Sequence, residues 1–312
     1  MNSGYPTLRI WQGSGFFSCC TLRLEKIIQF LATHQTLPSA IDCTKQFRLY
    51  KPVGYQDPKT HFQYDPIPDF FQDHSSITLD CAIEDLREGV GRKGECIPAQ
   101  SDFYNSLNYK FLSPLINKYF TPSPEVLSLK KELIGKYRVD PGHTCVLLYR
   151  GLDKRREMNL ASYEDMIHHA LKIKEKNPTI RFLIQSDETE FIEYASRQLS
   201  NSFYFKDEIF HLPKSPNQVA HRNPRDSNYI GKSFLAMTHL FSECKYALLN
   251  HSGNCCLWIA LYRGSAIGLS QYSFSLSPTA WRQKEARRHK EPLSLWLNQK
   301  APPNTSFWHI DY

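Results

Sequence analysis

From residue 145 to residue 269, short apolar runs alternate with helix-period stretches, broken by a loop rich in Pro, Asn and Arg at 213–228, and this alternation restricts the fold more than any other feature of the chain. Residues 145–149 read as a buried strand. A helix follows from Ser162, with Asp165 completing a capping box, Met166, Ile167, Ala170, Leu171 and Ile173 on or near its inner face, and Asn177-Pro178 as its stop. Residues 180–184 repeat the strand, and Asp187 with Glu190 reads as a second capping box before a helix striped by Phe191, Ile192, Ala195 and Leu199. Further strands are expected at 202–205, 246–249 and 266–269, with helices at 229–242 and from Asn254 through Tyr262. Strands joined through helices run parallel, so the pattern predicts a doubly wound α/β sheet.

The N-terminal part reads as a shorter version of the same plan. Leu8 and Ile10 alternate as in a strand, Gly13-Ser14-Gly15 breaks it, and Leu22, Ile27, Ile28 and Leu31 recur at helical spacing before a second strand near Ala40-Ile41. The backbone N–H groups of such a loop, with a helix N-terminus behind them, suit a phosphate. No Lys-Ser/Thr follows and the glycines do not form G-x-G-x-x-G, so in isolation an ordinary tight turn explains them as well. Residues 46–122 mix Tyr, Phe, Pro, Asp and Gln without period, which predicts long loops and short elements, with an interrupted helix over 102–119. Aromatic residues there either pack a core or line a site for a planar ligand. Pro122, Pro124 and a helix-like stretch at 126–137 mark a change of domain. The expected division is 1–125, a Rossmann-like acceptor-side domain; 126–275, a Rossmann-like donor-nucleotide domain; and 276–312, a tail whose basic run at 282–290 reads as the solvated face of a helix.

Bulk composition narrows the partners only slightly. A net charge of +7 on 312 residues permits an anionic ligand such as a nucleotide, a phosphorylated substrate or a membrane surface, and is equally met by solubility alone. No nucleic-acid-binding motif and no aromatic-basic interleaving is present, so no nucleic-acid partner is expected. The start MNSGYPTLRIWQ has no apolar segment behind a basic start, and no run is long enough to span a bilayer. The expectation is a soluble, cytoplasmic protein with no transmembrane segment. Nine cysteines without any C-x-x-C pair predict reduced thiols, with no zinc site and no disulfide framework, and no cofactor or other metal is expected.

In a parallel sheet the strand ends share one edge, and here that edge collects Arg150 with Asp153 and Glu157, Ser186 with Asp187, and His251, Ser252, Gly253 and Asn254. Within CVLLYRGLDKRRE a buried strand delivers a cation to the mouth of a cleft, although a solvated basic loop has the same local pattern. Ser252-Gly253-Asn254 at a helix start offers a hydroxyl, an unobstructed backbone and a positive dipole end, all suited to a diphosphate. Each feature alone is commonly a helix cap. Together they point to a nucleotide or sugar-nucleotide cleft.

The stretch VLLYRGLDKRRE resembles the R-x-x-D-K signature, followed by an acidic residue, of the fucosyltransferase superfamily that includes the α1,6-, nodulation and protein O-fucosyltransferases. IRFLIQSDETEFI resembles that family's strand ending in an acidic turn, and YIGKSFLAMTHLFSECKYALLNHSGNCCLWIALYRG its helix, strand and Ser-x-Asn loop. The resemblance implies two facing Rossmann-like domains of the GT-B type and an inverting, metal-independent transfer of a deoxyhexose such as L-fucose. The donor would be a nucleotide sugar, GDP-linked favoured, and the acceptor a glycan or glycoconjugate. By this resemblance Arg150 meets the donor's β-phosphate, Glu157 is the base toward the acceptor hydroxyl, and Ser252, Gly253 and Asn254 hold the diphosphate. Asp187 shapes the nucleotide side, Asp153 and His251 belong to the same donor site, and Gly13, Gly15 and Phe16 form the N-terminal phosphate-side loop.

Two positions depart from the family pattern. Leu148 stands where the family has His, and Met237 where it has an Asp toward guanine, with His239 and Glu243 as candidates to substitute. The departures leave UDP- and dTDP-sugars open as donors, and leave open a non-catalytic nucleotide- or glycan-binding relative.

Overall fold

The computed structural model describes residues 7–12, 15–57, 59–90, 97–208, 227–250, 253–273, 275–302 and 306–312. The chain opens with strand β1 (Leu8–Gln12), helix α1 (Phe16–His34) and strand β2 (Ile41–Gln46), the two strands pairing in parallel. Cys20, Leu24, Ile27, Ile28 and Leu31 recur on one buried face of α1, and Gln35 ends the helix in a left-handed conformation. Among the described residues this first sheet has two strands.

The aperiodic stretch that follows is, as its composition predicts, loops and short turns with three helices, α2 (Ile67–Phe70), α3 (Ile83–Gly89) and α4 (Tyr109–Phe120), the last carrying Pro114 inside it. Buried polar groups replace a regular hydrogen-bond ladder here. The Lys51 ammonium is buried and donates to the carbonyls of Thr44, His61 and Tyr64, tying the turn at 61–64 to strand β2 around one cation. Arg23 of α1, also buried, donates to the Tyr119 carbonyl and stacks over Phe120 at 4.9 Å.

Helix α5 (Pro124–Tyr137), capped by Ser123, leads into the main sheet. In order come β3 (Thr144–Tyr149), α6 (Lys154–Glu157), α7 (Tyr163–Lys176), β4 (Arg181–Ser186), α8 (Thr189–Gln198), β5 (Ser202–Phe203), α9 (Ser227–Glu243), β6 (Tyr246–Leu249), α10 (Asn254–Arg263), β7 (Leu269–Tyr272), α11 (Pro278–His289) and β8 (Trp308–His309). The capping box at Ser162 and Asp165 forms as the sequence predicts. The last parallel strand lies three residues later than predicted: Gly268 has φ of 76° and a close approach to the Lys245 carbonyl, so the chain turns there and pairs only afterwards.

The sheet order is β5-β4-β3-β6-β7-β8, parallel throughout except for the antiparallel edge strand β8. Chain direction across the sheet therefore reverses between β3 and β6, which creates a crevice at their carboxyl ends. Strand β3 is buried along its whole length and its alternating side chains feed two cores. Cys145, Leu147 and Tyr149 pack with α7 and α8, while Val146 and Leu148 join a larger cluster. That cluster also takes in Ile10, Leu24, Phe120, Leu235 and Trp258, so one apolar core runs from the N-terminal strands through the near face of the main sheet. Among the described residues no helix is long and apolar enough to cross a membrane.

Candidate active site

Asn250 joins the two strand ends at the switch point. Fully buried, it accepts from the Arg150 N–H through Oδ1 at 2.9 Å and donates from Nδ2 to the Arg150 carbonyl at 3.3 Å, while its own N–H reaches the Leu148 carbonyl. These bonds fix the backbone from which the Arg150 side chain leaves β3. The guanidinium then donates from Nε to Asp187 at 3.3 Å and from Nη2 to Asp153 at 2.9 Å, and Nη1 has no partner among the described residues. The side chain is 30 % exposed, toward the cleft. Burial opposes its charge, but Asp187 and Asp153 outweigh burial and hold the pKa above the ordinary arginine value. Asp153 is lowered in return: burial would raise it, and Arg150 and Lys154 prevail.

Asp187 does not cap α8, contrary to the sequence expectation. The cap position is Glu188, without a side-chain cap bond, and the Asp187 carboxylate instead accepts from the Gly151 N–H at 2.8 Å and from Arg150. A local capping signal yields here to a charged donor across the sheet edge, because charge-assisted bonds are the stronger ones.

Glu188 was not singled out from sequence, and it anchors the loop after β3. Its carboxylate is fully buried, accepts from the Tyr163 hydroxyl at 2.6 Å, and pairs with Arg155. Arg155 Nε donates to the Gly151 carbonyl, and a Cβ at position 151 would fall on the Glu188 carboxylate, so a larger residue there would have to displace that buried side chain. Consecutive acids at the end of β4 thus hold two arginines of one loop. The visible sequence signal was Asp-Glu directly after a strand, opposite a loop rich in Arg and Lys.

Around Arg150 lies a cleft of about 360 Å³. Its polar wall carries Arg150, Asp153, Lys154, Glu157 and Asp187; the facing wall is built by Phe16 and Phe17 of α1, Tyr50, and Phe234, Met237 and Phe241 of α9. Glu157 is 54 % exposed at the rim, with the Lys154 ammonium 2.5 Å away. Leu148 and Met237, the two departures from the family pattern, both line the cleft, and Thr238 is the polar side chain that α9 adds beside them.

The remaining expectations divide. Gly15 and Gly253 line the cleft at the N-termini of α1 and α10, though a Cβ at Gly15 would meet open space, so no close approach demands glycine there. Phe16 touches the cleft but is 2 % exposed and is mainly a core ring against Phe47, Tyr50 and Phe70. Asn254 also lines it, yet its side chain is engaged elsewhere: Nδ2 donates to Ser18 at 2.9 Å and Oδ1 lies 3.0 Å from the Thr21 hydroxyl, which in turn accepts from Trp258. It ties α10 to α1. His239 and Glu243 do not reach the cleft, since both bind Lys130 of α5 on the far side of α9. Gly13, His251 and Ser252 lie outside the described residues. The cleft therefore belongs to an α/β protein whose switch point presents an anchored arginine opposite an aromatic wall.

Comparison with known proteins finds only distant likenesses. No family model matches the chain, and no curated protein matches it significantly. Among solved structures, a NodZ α-1,6-fucosyltransferase soaked with GDP-fucose is 12 % identical, with 87 % of this chain and 96 % of that chain covered at a TM-score of 0.45. A NodZ fucosyltransferase from Bradyrhizobium is 10 % identical over 87 % and 98 % of the two chains, also at 0.45. POFUT1 in complex with GDP is 11 % identical over 51 % of this chain and 49 % of that chain, at 0.32. At these identities each likeness is one of fold alone.

Proposed function

We propose that the cleft binds a nucleotide sugar and that the protein is a glycosyltransferase, moving a deoxyhexose such as L-fucose from a GDP-linked donor to a hydroxyl of a glycan or glycoconjugate. The observation that carries this reading is Arg150, fixed by Asn250 and Asp187 at the switch point with N–H donors still directed to the cleft. A leaving nucleoside diphosphate gains negative charge as the glycosidic bond breaks, and a preorganised guanidinium stabilises that charge without a metal. Lys154 bridges the two carboxylates Asp153 and Glu157. Its movement onto a bound phosphate would release Glu157 to take the proton of the acceptor hydroxyl, and attack from the face opposite the diphosphate would invert the anomeric centre.

With GDP-fucose as donor, Arg150→Ala should lower turnover by about 10²- to 10³-fold while circular dichroism stays unchanged. Turnover at the wild-type rate would overturn the role of Arg150. Thermal shifts with GDP-, UDP- and dTDP-sugars rank the donors. A second reading, a nucleotide-binding protein without transfer activity, is favoured by Leu148 and Met237 in the cleft lining, where apolar side chains replace expected polar contacts. Saturable donor binding with neither transfer nor hydrolysis would establish it.

A further inference from the structure

The tail beyond residue 275 does not trail away from the site. Met158 and Leu276 form an antiparallel bridge, Asn159 Nδ2 donates to Ser275 Oγ and to the Leu276 carbonyl, and the Ser277 hydroxyl donates to the Arg156 carbonyl. These bonds set the first turn of α11 against α6. Between them opens a second cavity of about 690 Å³, lined by Gln100, Arg156, Glu157, Thr279, Ala280 and Gln283 above the Met158 and Leu276 side chains. Gln100 and Glu157 line both cavities, so the second begins where the first ends.

We infer that this second cavity is the acceptor site and takes a saccharide bearing an anionic group, an assignment that rests on the glycosyltransferase reading above. Its size falls in the range of small-molecule sites, roughly 300–1,000 Å³. Two side-chain amides and a hydroxyl, none hydrogen-bonded elsewhere among the described residues, offer the mixed donors and acceptors that sugar hydroxyls require. Arg156 adds a guanidinium with no ion-pair partner among the described residues, which selects a carboxylate or other acidic substituent. Glu157 stands at the shared rim, where a hydroxyl of the bound saccharide meets the donor cleft.

The test is calorimetric titration of the full chain, first with GDP and then, with GDP present, with hyaluronan tetrasaccharide and with the neutral chitotetraose. Hyaluronan tetrasaccharide should bind about tenfold more tightly than chitotetraose, the scale of one charge-assisted contact. Arg156→Gln should erase that preference, and Ala280→Trp, which fills the cavity, should weaken both saccharides at least tenfold. Equal affinities in the wild type, a preference that survives Arg156→Gln, or undiminished binding to a folded Ala280→Trp each overturn the assignment. GDP binding without saccharide binding overturns the acceptor site alone. Saccharide binding without GDP binding overturns the donor reading and leaves a glycan site.

Discussion

The two walls of the cleft are held in place by opposite means. At the strand ends, charge holds charge: Arg150 between Asp153 and Asp187, Arg155 over buried Glu188, Lys154 between Asp153 and Glu157. Across from it, Phe16, Phe17, Tyr50, Met237 and Phe241 are buried rings and apolar chains that extend the main core up to the ligand space. The apolar wall is stabilised by burial whether or not a ligand is present. The charged wall gains little net stability from its pairs, because desolvation offsets attraction, so it makes sense as an arrangement kept for an anion. On the proposed reading, the diphosphate of a nucleotide would meet the charged wall and its base the apolar one.

The contrast can be broken by substitution on either side. The largest effect belongs to the charged wall, where Arg150→Ala removes the anion contact with the 10²- to 10³-fold loss of turnover given above. Next, Gly151→Ala should destabilise the fold by about 2 kcal/mol in urea unfolding, since the added methyl collides with the Glu188 carboxylate; stability equal to wild type would mean that Glu188 yields freely. On the apolar wall, Phe234→Ala should weaken GDP binding by about three- to tenfold through lost stacking, with turnover at saturating donor little changed. A fall in turnover as large as that of Arg150→Ala would erase the distinction between the walls.

The smallest effect lies behind α9. Burial, reinforced by Lys130 and partly opposed by Glu243, lowers His239 from 6.5 to about 4. As pH falls from about 6.5 toward 4 the unfolded chain takes up a proton that the folded chain refuses, so stability present above 6.5 is progressively lost across that window. His239→Gln should flatten that slope in unfolding curves recorded at pH 4 to 7, and nucleotide affinity should not follow it, because His239 does not reach the cleft.

Arg150 illustrates what was legible beforehand. A buried apolar run that stops at an arginine is visible in a dozen residues and gives the strand, but the local pattern fits a solvated basic loop equally well, and only the other strand ends at the same sheet edge point Arg150 to the cleft. Asp187 and Asn254 illustrate what was not. Each carried a valid local motif, and each was drawn to a distant partner that spacing cannot reveal. The segment 46–122 resisted reading because buried Lys51 and Arg23 organise it, and such charges carry no period.

Sequence alone determined the alternation of parallel strands and helices and the capping box at Ser162, because hydrophobic period and capping act within a few residues of the chain. Only the tertiary structure decided that Asn250 would lock onto Arg150, 100 residues away, that Asn254 would bind Ser18, 236 residues away, and that α11 would wall a second cavity. Those choices depend on which polar groups meet when the core closes. Several partners are chemically equal in the linear chain, and only packing selects among them.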